Sequence, residues 1–200
     1  MKFVLLDLGN VVLGVDFRKV FAHWAAAANI PEQRFYDLWV LDDAYKQHEV
    51  GNLSFAEYSD ALSTRFDVTL SIDQWRDGWN DLWTEPFYDV IELLHEIRSQ
   101  YRLFAFTNTN DTHAECWRRL FSNELKTFEH IYVSSEIGAR KPHKEAYLQV
   151  CKHMGAKPDE VIFIDDTVEN IKGAQTAGLD ARLAKGEREV VEVLSSILSL

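Results

Sequence analysis

The sequence predicts an α/β fold, with a Rossmann-like parallel-sheet core and an inserted helical cap. Four short apolar runs indicate strands, over residues 3–6, 103–106, 131–133 and 161–164. Each run is continuous rather than alternating, which is typical of strands covered on both faces. Helical patterns separate the last three runs, and this alternation of strands and helices predicts a parallel sheet.

The helix expected before the fourth strand shows the pattern most clearly. Its apolar residues recur at i, i+3, i+4 and i+7, namely Tyr147, Val150, Cys151 and Met154. Gly155 follows at the position where a left-handed helix cap is expected.

Residues 17–83 are helical by pattern and form the predicted insertion. Ser54 with Glu57, and Ser71 with Gln74, have the spacing of capping boxes that begin helices. Five of the six tryptophans fall in this segment, which indicates a small aromatic core of its own. We therefore expect an α/β core of residues 1–16 and 84–200 and a helical cap of residues 17–83.

Composition narrows the class of function. The chain has 200 residues, of which 21 are basic and 32 acidic, giving a net charge of −11. That balance excludes a broad basic face for nucleic acid but allows a small phosphorylated partner bound through a local cation. No surface heptad pattern indicates a coiled-coil assembly, so a monomer is favoured.

The cysteines and the first apolar run indicate the cellular compartment of the protein. Cys116 and Cys151 have neither metal-site nor disulfide-scaffold spacing. Asp7 interrupts the first apolar run, which argues against a targeting segment or a membrane span. We expect a cytoplasmic protein without a membrane partner.

Polar residues follow the predicted strands where ligands bind in open parallel sheets. They are Asp7 after the first strand, Thr107 and Asn108 after the second, and Asp165 and Asp166 after the fourth. Lys141 precedes a predicted helix, and Pro142 is expected to begin it. So many charges at one sheet edge are costly unless a cation and an anion share the site, which points to Mg²⁺ and phosphate.

The motifs that carry these residues resemble those of the haloacid dehalogenase superfamily. They are, in order, Asp-Leu-Gly-Asn-Val-Val from Asp7, Thr-Asn-Thr-Asn from Thr107, Ala-Arg-Lys-Pro around Lys141 and Phe-Ile-Asp-Asp ending at Asp166. Within that superfamily the motifs are similar to those of bacterial phosphatases for small sugar phosphates such as α-D-glucose 1-phosphate.

The resemblance implies a phosphatase mechanism. Asp7 would attack phosphorus and form an aspartyl-phosphate that water then hydrolyses. Mg²⁺ would be held by the carboxylates of Asp7 and Asp166 and by the main-chain carbonyl of Gly9.

The other motif residues would handle the phosphoryl group. The resemblance implies that Thr107 and the Asn108 amide bind it and that Lys141 neutralises its charge and that of Asp7. Asp165 would orient Lys141 or a metal-bound water.

One position departs from the family's phosphatase pattern. Gly9 stands where a second aspartate usually acts as general acid and base. Three outcomes are open: leaving groups that need little protonation, a proton supplied by Asp16 or an ordered water, or a protein that binds without hydrolysis. Asp16 is equally well placed to cap a helix that begins near Phe17.

Three other functions fit parts of this residue pattern. In a dehalogenase the same aspartate attacks carbon without a metal, so the repulsion between Asp165 and Asp166 favours the phosphatase. A receiver domain fits poorly with the long insertion, and a non-catalytic phosphosugar-binding protein is the alternative that depends on Gly9. His48 and Glu49 could reach the cleft from the cap, whereas His113 and His143 are expected to be structural or solvated.

Overall fold

The computed structural model describes residues 2–198. Its strands are β1 (Lys2–Leu6), β2 (Leu13–Val15), β3 (Trp83–Pro86), β4 (Tyr101–Thr107), β5 (His130–Val133), β6 (Val161–Asp165) and β7 (Asp180–Leu183). Its α-helices are α1 (Phe17–Ala28), α2 (Gln33–Leu38), α3 (Asp43–Glu49), α4 (Phe55–Phe66), α5 (Ile72–Asn80), α6 (Tyr88–Ile97), α7 (Asp111–Leu120), α8 (Ser134–Ile137), α9 (Lys144–Met154), α10 (Val168–Ala177) and α11 (Gly186–Leu198).

The main sheet has five parallel strands in the order β5-β4-β1-β6-β7. Alternate residues of β1 enter different cores: Val4 and Leu6 pack on one face, and Phe3 and Leu5 on the other. Both faces are thus covered by helices, which explains the continuous apolar runs. The predicted α/β fold and its four strands are confirmed.

The predicted helical segment lies between β2 and β3, which pair antiparallel with each other. Helices α1 to α5 enclose a separate aromatic cluster, in which Trp24, Trp75 and Trp79 are buried. Trp24 stacks on Trp79 and donates its indole N–H to the carbonyl of Trp75 at 3.0 Å. Packing of these rings gives the segment a core of its own.

The local capping predictions are confirmed. Ser54 with Glu57 and Ser71 with Gln74 form reciprocal capping boxes at the starts of α4 and α5. Gly155 ends α9 in the left-handed conformation, with φ of 68°.

Pro142 does not begin a helix as predicted. The helix that follows it, α9, begins at Lys144 with His143 as its N-cap. The Asn108 side chain bonds both the N–H and the carbonyl of Lys141, each at 2.9 Å, so the chain there is held outside a helix. Lys141 and Pro142 lie in a turn, and the helix starts two residues after the proline.

No helix found in residues 2–198 combines the length and the apolar composition that crossing a membrane requires. Cys116 and Cys151 are buried free thiols.

Candidate active site

The carboxyl ends of β1, β4 and β6 meet at one edge of the main sheet. Leu6 pairs with Ala105 on one side and with Ile164 on the other, so Asp7 follows level with the ends of both neighbours. A cavity of about 590 Å³ opens at this edge, and its lining includes every residue of the predicted site except the fully buried Asp165.

Lys141 is buried between two carboxylates. Its ammonium donates to Asp7 at 2.8 Å and to Asp165 at 2.6 Å, and the lysine side chain is 1% exposed. Burial alone would lower the pKa of Lys141, but the carboxylates of Asp165 and Asp7 raise it above its usual value. The ammonium is therefore charged at neutral pH.

Asp165 is fully buried, and both of its oxygens are already occupied. The main-chain N–H of Thr167 donates to it at 2.8 Å, and the Asn170 amide contacts its two oxygens at 3.0 and 3.1 Å. With Lys141 as a further donor, this carboxylate is satisfied as a hydrogen-bond acceptor. Its geometry suits orientation of Lys141 better than coordination of a metal.

Asp7, Asp165 and Asp166 form a cluster of carboxylates with oxygens within 4.8 Å of one another. Burial raises the pKa of Asp7 to about 7; Lys141 lowers it, whereas Asp165 and Asp166 raise it further. Burial, followed by the charge of Asp165, also raises the pKa of Asp166. A hard cation would relieve this repulsion, and oxygen donors are the ligands that Mg²⁺ prefers, so the site fits that metal.

Thr107 and Asn108 both line the cavity after β4. The Asn108 side-chain carbonyl accepts from the main-chain N–H of Lys141, and its amide group donates to the main-chain carbonyl of Lys141. It therefore fixes the position of Lys141, a function that the sequence did not indicate.

Gly9 lies in the cavity lining and forms an isolated bridge with Leu13. A β-carbon built on Gly9 would lie 3.5 Å from a Val15 methyl group, an ordinary contact. Asp16 does not belong to the cavity lining within the described chain. Its carboxylate caps α1 and binds Arg18, whose hydrogen bond lowers the pKa of Asp16. The geometry therefore favours the helix-cap interpretation of Asp16 over its use as a proton donor.

The cap contributes a second side of the cavity, where Glu49 from α3 meets Arg140 beside Lys141. The two form an ion pair at 2.8 Å, with exposed side-chain fractions of 5% and 17%. The sequence indicates Glu49 as a candidate, but it marks Arg140 only as the residue before Lys141. A pair separated by 91 positions leaves no pattern in one sequence.

The histidines differ in their surroundings. His48 is buried and stacks on Tyr58 outside the cavity lining found in the described residues. His113 lines the cavity, but burial lowers its pKa to about 3, so it is neutral and structural. His143 occupies the N-cap position of α9 without a side-chain capping bond and lines a different cavity.

Comparison with known proteins identifies the family. The family model of haloacid dehalogenase-like hydrolases matches residues 1–178. The chain belongs to this family of hydrolases.

Several haloacid dehalogenase-like relatives are phosphatases. A D-ribitol-5-phosphate phosphatase of Bacteroides thetaiotaomicron is 22% identical over 186 residues, which cover 90% of each chain. A glyceraldehyde 3-phosphate phosphatase of Methanopyrus kandleri is 29% identical over 112 residues, or 54% of this chain and 47% of that protein. The matched region thus spans about half the length of the second relative.

A solved haloacid dehalogenase-like structure is also similar over nearly its whole length. It is an enzyme of this family from Bacteroides thetaiotaomicron in complex with magnesium and inorganic phosphate. The two chains are 29% identical with a TM-score of 0.76, over 93% of this chain and 95% of that one.

Proposed function

We propose that this protein is a Mg²⁺-dependent phosphatase that hydrolyses small phosphomonoesters through an aspartyl-phosphate on Asp7. The observation that carries the proposal is the buried ammonium of Lys141 between Asp7 and Asp165, in a cavity that also holds Asp166 and Thr107. The phosphatase relatives support the same reaction class.

In the first half of the reaction, an Asp7 oxygen forms a bond to phosphorus while the bond from phosphorus to the leaving oxygen breaks. Lys141 lies within hydrogen-bond reach of Asp7 and offsets its charge and that of the phosphoryl group. The Thr107 hydroxyl binds a phosphoryl oxygen from the end of β4. The Asn108 side chain holds the main chain of Lys141 in place. Its second amide hydrogen or its main-chain N–H donates to a phosphoryl oxygen.

In the second half, a water oxygen forms a bond to phosphorus while the bond from phosphorus to the Asp7 oxygen breaks. The proton of that water passes to solvent, and phosphate leaves as the Asp7 carboxylate is restored. The carboxylates of Asp7 and Asp166 and the carbonyl of Gly9 would hold Mg²⁺. When bound, the metal supplies positive charge to the phosphoryl oxygens. Asp165 acts through Lys141 as a positioning residue, because its own oxygens are occupied.

Sugar phosphates are the proposed substrates, with glucose 1-phosphate as the specific candidate. Since Gly9 supplies no proton, the leaving oxygen is favoured if it is stabilised, as an anomeric oxygen is. D-ribitol 5-phosphate, the substrate in the name of one relative, carries a less stabilised leaving group and is the informative comparison.

Two alternatives make different predictions. A haloacid dehalogenase would release halide without Mg²⁺, and a phosphosugar-binding protein would bind without releasing phosphate. The acidic cluster of Asp7, Asp165 and Asp166 favours the phosphatase over the dehalogenase, which does not need a metal. That the protein is cytoplasmic and monomeric stays a prediction.

The test is phosphate release from a panel of phosphoesters, with and without Mg²⁺. The Asp7→Asn variant serves as the control, and halide release from 2-haloacids is measured in parallel. We expect Mg²⁺-dependent phosphate release that Asp7→Asn abolishes. Halide release, or a flat response across the panel, would reject the phosphatase in favour of the corresponding alternative.

A further inference from the structure

The ion pair between Glu49 and Arg140 joins the cap to the core at the side of the catalytic cavity. Glu49 is the last residue of α3, and Arg140 directly precedes Lys141. Both residues line the cavity that contains Asp7. The pair therefore lies within the space available to the leaving group of a bound phosphoester.

The main chain around Glu49 is held firmly against the core. The Ser134 hydroxyl donates to the carbonyl of Glu49 at 2.6 Å. Gly51 follows with φ of 77°, and a β-carbon there would lie 2.6 Å from the carbonyl oxygen of Ser135. The Glu49 carboxylate is thus presented from a fixed backbone, as a specific binding site requires.

Joining the cap to the core does not require a charged pair at this point. The main-chain contact of Ser134 already makes the joint, and His113 makes a second one by bonding the carbonyl of Trp79 at 2.9 Å. Buried ion pairs are commonly no more stabilising than apolar residues of the same volume. A charged pair facing a cavity is better explained by a polar ligand.

The pair retains hydrogen-bonding capacity for such a ligand. Arg140 uses its Nε hydrogen for Glu49, and residues 2–198 supply no hydrogen-bond partner for its two terminal nitrogens. The Tyr45 hydroxyl, which also lines the cavity, interacts with the Glu49 carboxylate. A carboxylate offers about four acceptor sites, so Glu49 can still accept from a ligand hydroxyl, and a guanidinium donates to hydroxyl oxygens. Two adjacent hydroxyls can therefore each find a partner on this pair.

The cavity lining also has an apolar part, from residues in and next to β2 and β3. These residues are Val15, Phe17, Leu82 and Trp83. A ligand that carries both carbon-bound hydrogens and hydroxyls matches the apolar and the charged parts of this lining. A polyhydroxylated alcohol has this distribution, whereas a simple alkyl chain leaves the ion pair unmatched.

We propose that Glu49 and Arg140 form a diol-binding subsite that selects phosphate esters of polyhydroxylated alcohols. This inference rests on the proposed phosphatase function and assigns the residues that read the leaving group. Glu49 accepts hydrogen bonds from adjacent hydroxyls, and Arg140 donates to the same hydroxyl oxygens.

The test compares two substrates with the same carbon chain, D-ribitol 5-phosphate and n-pentyl phosphate, with 4-nitrophenyl phosphate as a third. The first two have similarly poor leaving groups and differ in their hydroxyls, whereas the third has a good leaving group and no hydroxyls. We expect Glu49→Gln to lower kcat/KM for ribitol 5-phosphate roughly 10- to 100-fold, mainly through KM. For the other two substrates we expect kcat/KM to change by less than about 3-fold, because they have no hydroxyl group that binds Glu49.

Two control variants separate recognition from structure. Ser134→Ala loosens the joint between cap and core without removing the ion pair, and it should lower kcat/KM by one common factor for all three substrates. Glu129→Gln changes a carboxylate in the ion pair with Arg102 outside the cavity, and it should leave all three unchanged. If Glu49→Gln follows the uniform pattern of Ser134→Ala, the pair only joins the cap to the core and the subsite is rejected.

A binding measurement provides a second readout. In an Asp7→Asn background, Glu49→Gln should weaken calorimetric binding of ribitol 5-phosphate by a similar factor and leave n-pentyl phosphate unaffected. Equal weakening of binding for both ligands would overturn the proposal. So would a kinetic result in which Glu49→Gln lowers kcat/KM for ribitol 5-phosphate and n-pentyl phosphate alike and spares only 4-nitrophenyl phosphate, because the loss would then depend on the pKa of the leaving group. Hydrolysis of none of the three esters by the wild type would instead contradict the proposed phosphatase function itself.

Discussion

Under the proposed mechanism, Gly9 limits the proton transfer that the active site can offer. The position lines the cavity together with Asp7, and its main-chain carbonyl is one of the proposed ligands of Mg²⁺. It has no side chain that could protonate a leaving oxygen or deprotonate water. The site thus combines strong charge neutralisation with weak acid–base assistance, which favours substrates with stabilised leaving groups.

Restoring an acid at position 9 should broaden the substrate range. The backbone there is not left-handed, and a β-carbon would make only an ordinary contact with Val15, so Gly9→Asp fits locally. We expect kcat for n-pentyl phosphate to rise by roughly 10²-fold, since general acid catalysis is worth about that much. For 4-nitrophenyl phosphate, whose leaving group needs no proton, the change should stay below about 3-fold.

Gly9→Asn is the matched control, because asparagine has the same shape as aspartate and transfers no proton at neutral pH. Steady-state kinetics of both variants on both substrates give the result. A gain shared by Asn and Asp, or equal gains on the two substrates, would mean that the missing acid does not limit the reaction.

At the scale of elements, helix α10 touches the loop that carries Lys141. Gly173 lies in the interior of this helix, where glycine is usually unfavourable. A β-carbon there would lie 2.2 Å from the carbonyl oxygen of Pro142 and 2.9 Å from its carbonyl carbon. The absent side chain lets the helix approach the backbone that positions Lys141.

Gly173→Ala should therefore affect both stability and catalysis, despite its higher helix propensity. Displacing the Pro142 backbone should destabilise the protein by about 1–3 kcal/mol, as overpacking in well-packed cores does. We also expect kcat to fall by at least about 10-fold, because small displacements of catalytic groups are costly. Urea unfolding and phosphatase kinetics measure the two effects, with the exposed Gln175→Ala on the same helix as the control. A fully active, stabilised Gly173→Ala would show that the loop yields without moving Lys141.

Helices α5 and α7 are joined by one neutral histidine. The His113 Nε2–H donates to the carbonyl of Trp79 at 2.9 Å, and its ring stacks on that indole with centroids 4.5 Å apart. Burial lowers the pKa of His113 from 6.5 to about 3. The joint between cap and core therefore depends on an uncharged imidazole.

This histidine gives the stability of the protein a defined pH dependence. Above pH 6.5 the imidazole is neutral in both the folded and the unfolded state. Between pH 6.5 and about 3 only the unfolded state takes up the proton, so the free energy of unfolding decreases as the pH is lowered. The loss amounts to about 2 kcal/mol at pH 5, at 1.36 kcal/mol per pH unit. His113→Gln should be less stable at pH 7.5 but lose less stability on acidification to pH 5.

Urea unfolding of wild type and variant at pH 5.0, 6.0 and 7.5 provides the measurement. His130→Gln is the control, since that histidine is exposed at the start of β5. Parallel pH profiles for the wild type and His113→Gln would mean that the folded state accommodates the protonated ring.

For the molecule as a whole, the sequence was most informative where burial imposes a pattern. The four apolar strands and both capping boxes could be predicted because each follows a local rule. Strand β7 could not, since its residues are polar or partly exposed at the sheet edge. The short β2 and β3 were also missed, because their pairing depends on a contact between residues about 70 positions apart in sequence.

The candidate site shows the same division. Asp7, Thr107, Asp165 and Asp166 each follow a predicted strand, and Lys141 precedes a predicted helix, so their positions made them candidates. Asn170, which holds Asp165, looked like an ordinary helical residue. Contacts such as that between Glu49 and Arg140 arise only when the cap meets the core, and no periodicity in a single sequence records them.

The metal requirement can be tested through the stability of the whole protein, because the acidic cluster joins β1 to β6. A cation bound only by the folded state at 100 times its dissociation constant adds about 2.7 kcal/mol of stability. For a chain of this length that corresponds to a rise in Tm of roughly 5–10 °C. We expect Mg²⁺ to raise the Tm of the wild type by this amount and EDTA to reverse the effect.

Substitutions of the two neighbouring aspartates, Asp165 and Asp166, should change the Tm in different ways. Asp166→Asn removes a proposed ligand and relieves repulsion, so its Tm without metal should equal or exceed that of the wild type, with no further rise in Mg²⁺. Asp165→Asn breaks the buried ion pair with Lys141 and should lower Tm by at least about 5 °C with or without metal. Differential scanning calorimetry at pH 7.5 distinguishes them. If Mg²⁺ raised the Tm of Asp166→Asn as much as that of the wild type, Asp166 would not be a metal ligand. If Mg²⁺ did not raise the Tm of the wild type, the metal requirement would be rejected, because the three carboxylates would then be tolerated without a cation.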